Sequence, residues 1–361
     1  MRIIAQKQDN VSARQRILNV ILCIFLAMVF CGIFIWGHGQ NPFAVYAKMI
    51  KTGFGSARGI TNSIVTSIPL MFCSLGVAVA YKMGINNIGA EGQYCIGAIA
   101  ATGVALYCPF IPHSLVIPAM FLAAFAGAAL WGVISILPKA LWNVNDTIVT
   151  LMMNYVALLF LDWLCYGPWI DHSMNIAVSE PIPDYAMLKS YFGTNLNICV
   201  LIAIIIAILI YAFFKYTVMG YQIKVISKNI NAAKYAGMTV AAKIVLVMLI
   251  SAGIAGLAGF AQVSGQVHKL QTEFANGAGF TGIVIAYLSK FNPFIILLVS
   301  IFFGGLTIGG YSIQMMGVPS QIVTMLQGTI LIFVLGGEIF TRYKFTVIRN
   351  SKIKKEMQEE M

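Results

Sequence analysis

Charge is scarce in this chain. Only 10% of its 361 residues are Asp, Glu, Lys or Arg, against roughly a quarter in an ordinary soluble domain. The seven cysteines form no Cys-x-x-Cys pair, no His-Glu-x-x-His occurs, and no Gly-x-x-x-x-Gly-Lys-Ser/Thr loop occurs. Those absences argue against a disulfide framework, a zinc protease site and a phosphate-binding loop supplied by this chain. No nucleophile is set beside a base and no metal-spaced cluster stands out, so an intramembrane enzyme has little to rest on. The cysteines (Cys23, Cys31, Cys73, Cys95, Cys108, Cys165 and Cys199) lie almost entirely in apolar runs and read as small buried hydrophobes.

What is present is apolar length. The chain is 59% hydrophobic with a mean hydropathy of +0.85. That composition predicts an all-α polytopic membrane protein, because a helix needs roughly 20 apolar residues to cross the hydrocarbon core. Ten stretches qualify: 17–37, 60–81, 85–107, 114–137, 146–167, 196–216, 241–264, 274–289, 293–311 and 319–339. Polar and glycine residues interrupt the starts of the third and the eighth. The first follows basic residues and mimics a signal peptide, yet it is long enough to span and no cleavage site clearly follows it, so it reads as an anchor.

Lys and Arg exceed Asp and Glu by 11. In a membrane protein such an excess points to basic cytoplasmic loops and anionic lipid rather than to nucleic acid. With both termini cytoplasmic, eighteen basic residues fall inside and five outside. The expected organisation is a cytoplasmic segment 1–16, a transmembrane domain 17–340 and a cytoplasmic tail 341–361 that is helical and solvated or disordered. An external connection covers 38–59, a longer external loop 168–195 has room for a short helix, and 217–240 is the longest internal loop. Trp36, Trp142 and Trp163 fall near span ends, with Trp169 just beyond one, as an interfacial belt requires.

Residues 83–93, MGINNIGAEGQ, place two asparagines, a glutamate, a glutamine and three glycines between apolar runs. A bilayer tolerates such backbone only where protein or a wet cavity surrounds it. Residues 272–282, TEFANGAGFTG, repeat the theme with Glu273, Asn276, Gly277 and Gly279. Paired interruptions suggest an inverted repeat of spans 2–5 and 7–10, and they point to a transporter binding region. Glu91 can bind a polar substrate group, pair with a lysine, carry a proton, or be a hydrogen-bonded carboxylate that holds the broken helix. Asn86, Asn87 and Gln93 can meet a substrate or satisfy backbone freed by the glycines.

The fifth span opens NVNDTIVTLMMNY. Asn145 or Asp146 can cap it, and Thr150 and Asn154 share the Asp146 face at helical spacing. That stripe should face protein, as a substrate contact or as a helix–helix hydrogen bond. The seventh span carries SAGIAGLAGF, a close-packing face. The internal loop reads SKNINAAKYAGMTVAAK, a basic helical pattern with small residues at its centre. Such a helix can seat in a groove on a soluble partner or lie on anionic lipid.

Four segments in order, NIGAEGQ, NDTIVTLMMNY, NAAKYAGM and GAGFTGIVIAYLSKFNP, resemble the permease subunits of bacterial ABC importers for nucleosides and simple sugars. The likeness runs from about residue 40 to 340 and is strongest to the first of two non-identical permeases in guanosine-type importers. That family usually has Glu where Asp146 stands. The resemblance implies a multi-pass location in the cell membrane, a second homologous permease, a substrate-binding lipoprotein and an ATP-binding cassette subunit. ATP and Mg would be used by that partner, and no cofactor or metal is expected on this chain. It also implies that Asn229, Ala232, Ala233, Tyr235, Ala236 and Gly237 lie in the helix that couples ATP hydrolysis to transport. The substrate pathway is then assigned to Asn86, Asn87, Glu91, Gln93, Thr150, Asn154 and Phe280. A nucleobase favours aromatic partners such as Phe280 and Tyr155, whereas a free sugar such as ribose or galactose needs more polar groups. An ion-driven secondary transporter, with Glu91 and Glu273 as coupling carboxylates, is the alternative from another class.

Overall fold

The computed structural model describes residues 2–7, 13–173, 176–191, 194–319 and 321–348. The chain runs β1 (Arg2–Lys7), α1 (Ala13–Gly37), α2 (Pro42–Phe54), α3 (Ala57–Tyr81), α4 (Ala90–Tyr107), α5 (His113–Trp142) and α6 (Asp146–Tyr166). It continues with α7 (Cys199–Tyr216), α8 (Val218–Lys228), α9 (Ile230–Tyr235), α10 (Val240–Gln262), α11 (Ala278–Leu288), α12 (Pro293–Gln314), α13 (Gln321–Arg342) and β2 (Tyr343–Ile348).

Among the described residues, six helices are long and apolar enough to cross a membrane: Ala57–Tyr81, His113–Trp142, Asp146–Tyr166, Cys199–Tyr216, Val240–Val267 and Pro293–Gln314. The bent pair Ile21–Gly37 and Pro42–Phe54 makes a seventh if it counts as one span. Of the remaining expected spans, the third and eighth are shorter as helices than their sequence windows. The third begins at Ala90 rather than 85 and the eighth at Ala278 rather than 274. In both, the glycine- and asparagine-rich residues before the helix stay outside it. The tenth falls on α13, Gln321–Arg342, with an apolar stretch over Gln321–Val334 among the described residues.

Several connections differ from their sequence reading. The connection 38–59 holds α2, and the internal loop holds two helices broken at Asn229, whose backbone is extended. Among the described residues of loop 168–195 there is one 3-10 turn, Asp184–Ala186, with isolated β-bridges. The helix-or-disorder expectation for the tail fails over 343–348, where β2 pairs antiparallel with β1, Arg2 opposite Ile348. The rest of the tail, 349–361, lies outside the described residues.

The chain divides into two compact units, residues 1–47 with 313–361, and residues 48–312. In the smaller unit α1 packs along α13, and the Tyr46 hydroxyl donates to the Met28 carbonyl at 2.7 Å. In the larger unit α10 is the centre, with α3, α4 and α5 packed around it. Its small residues make this approach possible. A Cβ on Gly256 would collide with the Ala128 side chain and lie 2.7 Å from the Ala124 carbonyl oxygen, and one on Gly259 would collide with the backbone of Tyr94 and Ala98. The SAGIAGLAGF face is therefore a packing face, as small residues on a transmembrane helix allow. The long helices also cross between the two interrupted segments: α3 packs on α11, and α10 packs on α4.

Candidate functional site

The break between α3 and α4 is held by side chains from three helices. Gly84, at φ +81, turns the chain out of α3. That region favours glycine because it carries no Cβ. The Asn86 N–H then donates to Asp146 Oδ2 at 2.8 Å, and the Ile88 N–H donates to Thr150 Oγ1 at 3.3 Å. One turn further along α6, Asn154 Nδ2 donates to the Ile88 carbonyl at 2.7 Å, while its Oδ1 accepts from the Gly92 N–H at 2.8 Å. The stripe 146–150–154 thus runs beside the broken backbone and satisfies it. Asn145, not Asp146, caps α6, accepting from the Thr147 N–H at 2.9 Å. Asp146 is further paired with Lys139 Nζ at 3.6 Å.

Asn87 and Gln93 exchange two amide hydrogen bonds, at 2.9 and 3.0 Å. Asn87 Oδ1 also accepts from the Gly89 N–H at 3.0 Å, and its Nδ2 donates to Ser251 Oγ at 2.9 Å. That is two donations and two acceptances, the full capacity of a carboxamide. Ser251 in turn donates to the Gly76 carbonyl at 2.7 Å, which ties α10 to α3. In the sequence Ser251 only opens a small-residue packing motif. Only the fold sets its hydroxyl opposite a buried amide.

Glu91 sits in the first turn of α4, and its carboxylate reaches the start of α11. Oε1 accepts from the Gly277 N–H at 2.7 Å and Oε2 from the Gly279 N–H at 2.6 Å. The first N–H groups of a helix have no partner within it, and a negative charge there is favoured by the helix dipole. The starts of α4 and α11 meet at this point. A Cβ on Gly279 would overlap the Glu91 backbone. One carboxylate therefore lies between two positive helix ends and joins the two interrupted segments.

The assigned pathway residues fall into two groups. Asn87, Glu91, Gln93, Thr150 and Asn154 are buried and hydrogen-bonded to one another or to backbone. The Asn86 side chain is exposed, as are the rings of Phe280 (41%) and Tyr155 (55%). The fold brings the first group together and leaves Phe280 beside it, at the α11 start. Tyr81 stacks on Phe291 at 3.9 Å between ring centroids and meets Tyr287 edge-on at 5.0 Å, closing the far ends of α3 and α11.

The segment 229–237 forms a single short projection. Asn229 Oδ1 accepts from the Ala232 N–H at 3.0 Å and starts α9. Gly237, at φ +75, ends it, and the Met238 N–H returns to the Ala233 carbonyl at 3.0 Å. Ala233 is fully buried, whereas Tyr235 is 94% exposed and Ala232, Ala236 and Gly237 face outward with it.

Residues 59–335 match the family model described as the branched-chain amino acid transport system permease component. A glucose ABC transporter permease of Haloferax volcanii is 30% identical, over 90% of this chain and 88% of the relative. A nucleoside ABC transporter permease of Lactococcus lactis is 28% identical, over 89% and 91%. A guanosine ABC transporter permease of Bacillus subtilis is 30% identical, over 87% and 91%.

Proposed function

This chain belongs to the branched-chain amino acid transport system permease family, and from that premise we propose that it moves nucleosides through an ATP-driven importer. It is a membrane-embedded ABC importer permease, a transport component and not a catalytic subunit. ABC permeases act with an ATPase and a substrate-binding protein. In this reading the chain pairs with a second, non-identical permease, a lipoprotein delivers the nucleoside, and ATP with Mg is used only by the ATPase subunit. About ten spans cross the membrane, arranged as an inverted repeat of spans 2–5 and 7–10, with both termini cytoplasmic. The crossed packing of α3 on α11 and α10 on α4 supports that repeat.

One observation carries the choice of substrate. The polar side chains at the interruptions already bond each other and the backbone, while Phe280 offers an exposed ring beside them. A ligand passing there meets an aromatic face, which a nucleobase can stack on, more than a ring of unpaired polar groups. The likeness to a glucose permease favours the second reading, a simple sugar such as ribose or galactose. Uptake of labelled guanosine by the reconstituted importer, competed with excess nucleosides or with glucose, ribose and galactose, separates them. Competition by nucleosides alone is expected; competition by a sugar alone replaces the nucleoside with that sugar.

A further inference from the structure

An open pocket of about 720 Å³ lies between the last turn of α5, the end of α8, α9 and the first turn of α10. Lys139, Lys228 and Lys234 line it, with Asn143, Asn229 and Asn231 as further polar groups; no acidic residue lines it, and of the three lysines Lys139 is already paired with Asp146 at 3.6 Å. Its walls also carry apolar side chains. Leu141 is 62% exposed there and Ile230 50%, and the neighbouring Trp142 is 72% exposed.

We propose that this pocket binds the headgroup of an anionic phospholipid of the inner leaflet, with its acyl chains along the exposed end of α5. Lys228 and Lys234 supply the charge a phosphodiester needs, and the asparagines supply donors to its oxygens. The apolar wall decides between a lipid and the acidic surface of a soluble partner. Leu141, Trp142 and Val144 are all exposed at this end of α5, and a water-facing protein contact has no use for that strip, whereas acyl chains cover it. Tryptophan at such a level is an interfacial anchor. The site rests on the cytoplasmic placement of residues 217–240 proposed above. Its readout is lipid bound to the purified chain, so it does not depend on which substrate is carried.

The test is lipid counting by mass spectrometry on the importer purified in mild detergent, followed by titration of delipidated protein with phosphatidylglycerol, phosphatidylcholine or inorganic phosphate. Each lysine near an anionic headgroup contributes about 1 kcal/mol, so removing one weakens binding about fivefold. The wild type is expected to retain phosphatidylglycerol and not phosphatidylcholine. The double variant Lys228→Gln, Lys234→Gln should bind it about 25-fold more weakly by the same reckoning. The charge-matched variant Lys48→Gln, Lys51→Gln should match the wild type. Equal retention in the two double variants overturns the site, and so does phosphatidylcholine bound as tightly. Inorganic phosphate that binds with the same lysine dependence as the lipid makes it a free-anion site instead. Loss of the ATPase subunit from the pocket variant with lipid retained makes it a protein contact.

Discussion

Replacing Glu91 with Gln keeps the shape of the side chain but turns one acceptor oxygen into an NH2 group that faces an N–H. It also removes the charge between two helix starts. A hydrogen bond to a charged group contributes about 2 kcal/mol, so the thermal unfolding midpoint of the solubilised protein should fall, and uptake with it. Asp162→Asn, near the C-terminal end of α6, should do less to both, and equal losses would remove the special position of Glu91. Asn154→Ala is a second check. It strips partners from the Gly92 N–H and the Ile88 carbonyl, each worth about 1–3 kcal/mol when left buried and unpaired. Protection of the Gly92 amide from hydrogen exchange should drop; an unchanged rate would show that another group holds the start of α4. Sequence pattern alone marked these residues as unusual at membrane depth. It could not say that Glu91 bonds the start of α11, because 186 residues separate it from Gly277.

At the level of the element, the most exposed test is α9. Gly237 sits in the left-handed region, where a residue with a Cβ costs about 1–2 kcal/mol. Ala233 is fully buried, so a larger side chain there must displace its neighbours. Ala233→Leu with Gly237→Val should leave the chain in the membrane yet abolish ATP-driven uptake and weaken co-purification of the ATPase subunit. Normal uptake would take the coupling role away from this segment. On α10, Gly256→Leu drives a side chain into Ala124 and Ala128. The expected result is little folded protein, seen as a loss of the monodisperse peak in detergent chromatography; a normal peak would mean that α5 can move aside. The small-residue face of α10 was legible from its spacing. The helix α2 was not, because 13 residues of mixed polarity carry no clear span signal.

For the whole molecule, the orientation is open to labelling. Single cysteines placed at 180–190 should react with an impermeant maleimide added outside intact cells, and those at 225–238 only after permeabilisation. The reverse pattern would invert the topology. Six of the seven native cysteines are buried and none is bonded, so their background reaction should be small. Gentle purification of the tagged chain should bring a P-loop ATPase and a second polytopic subunit with it. A chain that comes alone and still drives uptake would belong to ion-coupled transport.

The sequence by itself determined the membrane setting, the position of the long helices and the places where two of them break. Those properties follow from apolar length and from glycine and asparagine, which act locally along the chain. It also carried the family resemblance, since NIGAEGQ and NAAKYAG are contiguous words. Only the tertiary structure decided what the polar residues at the breaks touch. Asn87 meets Ser251 and Glu91 meets Gly279 across separations of 164 and 188 residues, and no local period encodes such a pairing. The same holds for the pocket at the end of α5, whose lysines come from three helices and share a site only once those helices pack.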